Sequence, residues 1–202
     1  MAGRACRGVD SHSYARDVIV EAILVFAVVA GLVTVIVMGY NRLIRLRNKV
    51  ATAWAGIDVQ LARRADLVPN LVETVRGARM HEREVLQAVT EARARLVEAQ
   101  GPAAAGRADD SLEGALGRLW AVAEAYPNLQ TSRNFLQLQT ELSRLEEDIS
   151  FARRYYNGSV DQFNTTQQRF PMLLIARPFG FRAAEFFKAE AGAASAPRVE
   201  LP

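Results

Sequence analysis

Hydrophobic and polar positions along this chain follow three successive patterns. The first is unbroken. From Val18 to Gly39 the residues read VIVEAILVFAVVAGLVTVIVMG, with Glu21 the only charge and nothing after it more polar than Thr34. As a helix this run covers about 33 Å, enough to cross the hydrocarbon core of a bilayer. Its many β-branched residues do not argue for a strand, because a lone strand leaves its backbone unpaired in lipid. A core helix of a soluble protein is the alternative, but cores rarely need so long an apolar run. The run is too long for a cleaved leader, and a bulky and then basic flank, Met38-Gly39-Tyr40-Asn41-Arg42, follows it in place of small cleavage-site residues. The expectation is an uncleaved, single-pass anchor over residues 18–39, preceded by a short segment 1–17, with Tyr40 at the interface.

The second pattern has a helical period. Val50, Trp54, Ile57, Leu61 and Ala65 continue one apolar stripe out of the anchor. Pro69 interrupts the stripe and predicts a kink, since Leu71, Val72 and Val75 carry it on to Gly77. A second helix is predicted from His81 to Gln100, with Val85, Leu86, Val89 and Leu96 inward. GPAAAGRA, residues 101–108, reads as a loop, and Asp109, Asp110 and Ser111 as caps of a third helix that ends by Tyr126-Pro127. The last long helix, from Asn128 to Phe170, has a heptad seam. Phe135, Leu138, Leu142, Leu145, Ile149, Ala152, Tyr156, Ser159, Phe163, Thr166 and Phe170 alternate steps of three and four. Its outer face carries Glu141, Arg144, Glu147, Asp148, Arg153 and Arg154, which read as a solvated surface.

These lengths predict an all-α fold: an N-terminal transmembrane helix followed by an antiparallel up-down bundle of two long and two short helices. The bundle domain is expected over residues 40–187. The long pair would run its full height, and the short pair would pack as a hairpin on its distal half. The chain then returns to the membrane, where a third pattern begins. Residues 170–188, FPMLLIARPFGFRAAEFFK, interleave aromatic and basic positions. Arg177, Phe179, Phe181, Arg182, Phe186 and Phe187 are candidate membrane-proximal or interaction residues, with capping of the open bundle end as the alternative role. Residues 188–202 are small and polar enough for a disordered end.

Composition removes most chemistry from this picture. The chain has 202 residues, one cysteine and two histidines, and a formal net charge of +3. That excludes a disulfide framework and a cysteine-rich zinc site, and bulk charge gives no reason to expect nucleic-acid binding. No glycine-rich phosphate loop, nucleophile elbow or paired-histidine motif occurs. His81-Glu82-Arg83-Glu84 lacks the second histidine of a zinc-protease helix, and Asp66 and Glu73 share a face without an acid–base partner. Asp109-Asp110 and Glu146-Glu147-Asp148 are more simply caps or solvated faces than cation sites. Arg63, Arg64 and Asp66 suggest an ion-pair set beside Pro69, and Trp54 and Trp120 suggest core anchors. Asn134, Gln139, Asn157 and Asn164, on or beside the seam, are candidates for fixing bundle register. A competing role for these amides is a polar contact surface for another protein. No catalytic residue, cofactor, metal or small-molecule substrate is expected.

The residues also carry a resemblance. After the anchor come YNRLIRLRNKV, Trp54 and RRADLVPNLVETV from Arg63; later come YPNLQTSRNFLQLQTEL from Tyr126, RRYYNGSVDQFN from Arg153 and FPMLLIARPFGF from Phe170. In this order, over roughly residues 40–187, they resemble the LemA family. The resemblance implies a membrane-anchored antiparallel helical domain with a short external N-terminal segment. Arg42, Arg45, Arg47 and Lys49 after the anchor, against Arg4, Arg7 and Arg16 before it, vote weakly for the same orientation, with a cytoplasmic C-terminal domain. No agreed activity or catalytic residue comes with the family. Some relatives are linked to organising specialised bacterial membranes, and some are encoded beside membrane proteases. The functional expectation is a non-enzymatic scaffold, held in the lipid bilayer through residues 18–39 and gripping an unidentified membrane or cytoplasmic protein, or its own copies. A membrane-organising protein on anionic lipid and an accessory regulator of a membrane protease are the alternatives.

Overall fold

A computed structural model of the chain describes residues 11–77 and 82–187, and for residues 11–18 the helical backbone alone. Most of the N-terminal segment, His81, Lys188 and the C-terminal end 188–202 lie outside the described residues. The described residues form six helices and no strand. Helix α1 runs unbroken over Ser11–Gly77, 67 residues, or about 100 Å. Its apolar section is bare: Ile19, Phe26, Leu32 and Met38 are all exposed, as a span facing lipid requires. The same helix then turns amphipathic and buries Leu43, Val50, Ile57, Leu61 and Val68.

Pro69 does not end α1, which continues to Gly77. Proline has no N–H to give the carbonyl four residues back, so the Ala65 oxygen is left without its helical donor. Arg93 on helix α2 (Arg83–Glu98) supplies a replacement, its Nε donating to that carbonyl at 2.9 Å. The proline thus creates a docking point for the short hairpin.

Helix α3 (Pro102–Ala123) corrects the predicted loop at 101–108, of which residues 102–108 form its first two turns. Alanine is the strongest helix former, and Pro102 at the first helical position loses nothing by lacking an N–H. Gly101, at φ 80°, makes the turn that precedes it. Asp109, Asp110 and Ser111 are therefore interior to the helix and cap nothing. Asp109 is buried, and the Ser111 hydroxyl accepts a bond from Arg95 across the hairpin.

The chain returns through a single turn, α4 (Pro127–Gln130), and α5 (Arg133–Gln168). The predicted last helix thus breaks at Thr131-Ser132 and stops short of Phe170. Pro171 disfavours helical backbone at the residue before it, and Phe170 is correspondingly exposed. Otherwise the heptad seam faces inward, from Phe135 to Thr166, with Ala152 half-buried. Lys49 bonds Gln162 and Arg64 bonds Glu146, so numbering rises on α1 as it falls on α5, and the pair is antiparallel. The α2–α3 hairpin packs on the distal half, where Trp120 meets Phe135 edge-on.

Helix α6 (Met172–Ala176) closes the proximal end. Ile175 and Ala176 pack on Leu43 in a second small cluster. A Cβ at Gly39 would lie 2.5 Å from Ile175 Cδ1 and 3.1 Å from Met172, so glycine lets α6 come up against the last residue of the apolar run.

Candidate interaction surfaces

Three arrangements hold polar or exposed groups in a defined geometry. The first is the C-terminal strap. Gly180, at φ 72°, reverses the chain after α6, and the non-helical residues 181–187 then run back along α5. The amide of Asn164 donates to the Ala184 carbonyl at 2.9 Å and accepts from the Ala184 N–H at 2.8 Å. Asn157 does the same with Phe187, at 3.1 and 2.9 Å. An asparagine amide carries the donor and acceptor of a peptide group, so each stands in for a neighbouring strand. The spacing fits: seven helical residues advance about 10.5 Å and three extended ones about 10 Å. The Tyr156 hydroxyl donates to the Glu185 carbonyl at 2.7 Å. Burial, then the nearby Glu185 carboxylate, push its pKa up to about 12, which keeps it a donor.

The strap divides the predicted tail residues. Phe187 is fully buried, its ring against Trp54, whose other neighbour is Tyr156. Phe181 is half-buried, packed on Tyr40 and Phe163 with the Arg47 guanidinium over its ring. These two pack into the bundle end, the capping role weighed for them above. Arg177, Phe179, Arg182 and Phe186 remain exposed. The amides divide likewise. Asn157 and Asn164 hold the strap; Asn134 is exposed at the start of α5 and Gln139 is half-buried, neither of them near it. A pair of asparagines seven apart was visible in the sequence; that their partner was extended backbone was not.

The second arrangement is a buried ion cluster. Arg64 on α1, 3 % exposed, bonds Asp109 of α3 at 2.6 Å through Nη1 and Glu146 of α5 through Nη2. The predicted partner Asp66 faces outward with Arg63. Burial alone would lower the Arg64 pKa, but the two carboxylates outweigh it and raise it, so the guanidinium stays charged. Burial, the largest influence, together with the nearby Glu146 and Glu113 carboxylates raises the Asp109 pKa, although Arg64 pulls it down. Asp109 and Glu146 are thus committed to an internal cation.

The third is an open face along α1 and α5. One groove, of about 350 Å³, is lined by Arg63, Asp66, Glu141, Arg144 and Asp148. A second, of about 340 Å³, lies nearer the apolar run between Thr52 and Gly56 on α1 and Phe151 and Tyr155 on α5. Phe151 is 68 % exposed and Tyr155 51 %, while the seam beside them is closed.

A bare apolar helix that runs on into an antiparallel bundle, closed by a strap at its proximal end, defines an all-helical protein with the build of a membrane protein. The chain belongs to the LemA family, which residues 53–201 match. It is 26% identical over 192 residues to magnetosome protein MamQ of Magnetospirillum gryphiswaldense, covering 82% of this chain and 70% of that one. MamQ 2 of Paramagnetospirillum magneticum is also 26% identical, over 197 residues, 84% of this chain and 72% of its own. Protein LemA of Metamycoplasma hominis is 28% identical over 172 residues, 83% and 77% of the two chains.

Proposed function

We propose that this protein is a non-enzymatic, membrane-tethered scaffold. It is anchored by residues 18–39 with its N-terminus outside and its bundle in the cytoplasm. Its open α1–α5 face holds a membrane or cytoplasmic protein, or further copies of the chain. The observation that carries this reading is the exposure of Phe151 and Tyr155 on a two-helix rod continuous with the apolar run. Large aromatics beside small residues make a contact surface with little side-chain entropy to lose.

The test is a photo-crosslinking residue at Phe151 of the full chain in intact cells, with Arg118, exposed on α3, as the control position. Purification in mild detergent and mass spectrometry follow. The expected result is one stoichiometric product from position 151 and none from 118; a membrane protease as that product would give the scaffold a regulatory sense. The same products from both positions, or none from 151, would remove the reading.

A further inference from the structure

The proximal end of the bundle exposes apolar groups that the strap leaves uncovered. Phe170 is 82 % exposed, Leu174 65 % and Phe179 55 %. All three sit where the end of α5, the turn after it and α6 meet α1. Their height is set by two independent contacts. Gln162 on α5 bonds Lys49 on α1. Six residues further along, Gln168 is about 9 Å nearer the anchor, level with Leu43. Beyond it, Ile175 and Met172 close on Gly39, the last residue of the apolar run. The Phe179 ring meets Tyr40, the first residue after that run, with 5.2 Å between centroids and the planes tilted at 57°. Phe170 and Leu174 therefore lie within about one helical turn of the level at which the anchor leaves the hydrocarbon.

The charge around them has one sign. Residues 40–57 carry Arg42, Arg45, Arg47 and Lys49, residues 169–184 carry Arg169, Arg177 and Arg182, and neither stretch contains an acid. Arg47 is engaged on Phe181, while Arg42, Arg45, Arg169 and Arg177 are exposed. A protein surface would be expected to offer both signs, as the open α1–α5 face does. Apolar side chains ringed by arginine at the depth of the headgroups fit an anionic bilayer surface.

We infer that Phe170, Leu174 and Phe179 form a second membrane contact, a collar that enters the bilayer interface beside the anchor, with the surrounding arginines on anionic headgroups. The inference rests on the anchoring proposed above. It gives the bundle two attachments to one bilayer, the first from the start of the chain and the second from the end of α5, and so fixes the rod's tilt.

The test uses the full chain with Cys6→Ser, reconstituted in vesicles of phosphatidylcholine and phosphatidylglycerol. Single cysteines at Phe170, Leu174, Leu32 and Leu136 carry a nitroxide label. Each position is exposed, so the core is untouched, and circular dichroism checks that each variant is helical. Accessibility to oxygen, which concentrates in lipid, is compared with accessibility to a water-soluble nickel chelate. The expected oxygen-to-nickel ratio at 170 and 174 is several-fold above that at 136, on distal α5, and below that at 32. A lipid-like ratio at 32 with a water-like ratio at 170 and 174 overturns the collar and leaves the anchor. A water-like ratio at 32 overturns the anchoring itself. Labels at 170 and 174 that both reagents fail to reach would mean that protein, another copy or a partner, covers this surface, and would also overturn the lipid contact.

Discussion

Arg64 joins three helices through one side chain, and removing it leaves more damage than its absence alone. Asp109 would stay buried without a counter-charge, which costs about 3–5 kcal/mol for a pair broken on one side. Arg64→Met is therefore expected to lower the melting temperature markedly. Adding Asp109→Leu should recover most of the loss, since a well-packed apolar pair replaces the ion pair and the half-exposed Glu146 can turn to water. Asp109→Asn should be mild, because its oxygen still accepts from Arg64. This variant also tests the pH dependence. The Asp109 pKa is raised above 3.8 in the fold, so between that value and the raised one the folded state holds more protons than the unfolded. This group's contribution to stability is then fully present below 3.8 and falls as pH rises through the window. Thermal melts by circular dichroism should show that fall in the parent and its absence in Asp109→Asn. A steeper fall in the asparagine variant would mean that Asp109 is held ionised.

At the scale of the elements, Pro69 and Arg93 act as one device. Arg93→Ala leaves the Ala65 carbonyl without a donor and loosens α2 from α1, at a cost of about 1–3 kcal/mol for an unpaired buried group. Pro69→Ala restores the helical donor, so Arg93→Ala should cost clearly less in that background. Equal costs in both would mean the bond adds nothing to docking. This device shows where legibility ends. The stripe from Val50 to Val75 and the seam from Phe135 to Thr166 were readable because large apolar residues mark a period of 3.6 or 3.5. The start of α3 was not, because Ala105, Gly106 and Ala108 bury a helix face with no large side chain, and glycine and proline imitate a loop. Arg64 could be suspected, but its partners lie 45 and 82 residues away, beyond any local pattern. The strap was hidden for a similar reason: its bonds run through its backbone, so only Phe181 and Phe187 left a trace in the sequence.

For the molecule as a whole, two cysteine positions report which side of the bilayer receives the bundle. Cys6 is the only cysteine, and it stands on the N-terminal side of the apolar run. Basic residues nearest the run number four after it and three before, a slight bias toward a cytoplasmic bundle. The collar strengthens the same expectation, because the anionic surface that suits Arg42, Arg45, Arg169 and Arg177 is characteristic of the cytoplasmic leaflet. A membrane-impermeant maleimide applied to intact cells should therefore label Cys6. A Cys6→Ser variant carrying Gln100→Cys, on the exposed connection between α2 and α3, should be labelled only after the membrane is opened. The reverse pattern would put the bundle outside. The arginine ring would then face the outer leaflet, and any partner on the α1–α5 face would have to be sought outside the cytoplasm. Labelling of both positions in intact cells would mean that the apolar run does not cross the bilayer at all, and the exposed side chains from Ile19 to Met38 would then need a protein to cover them.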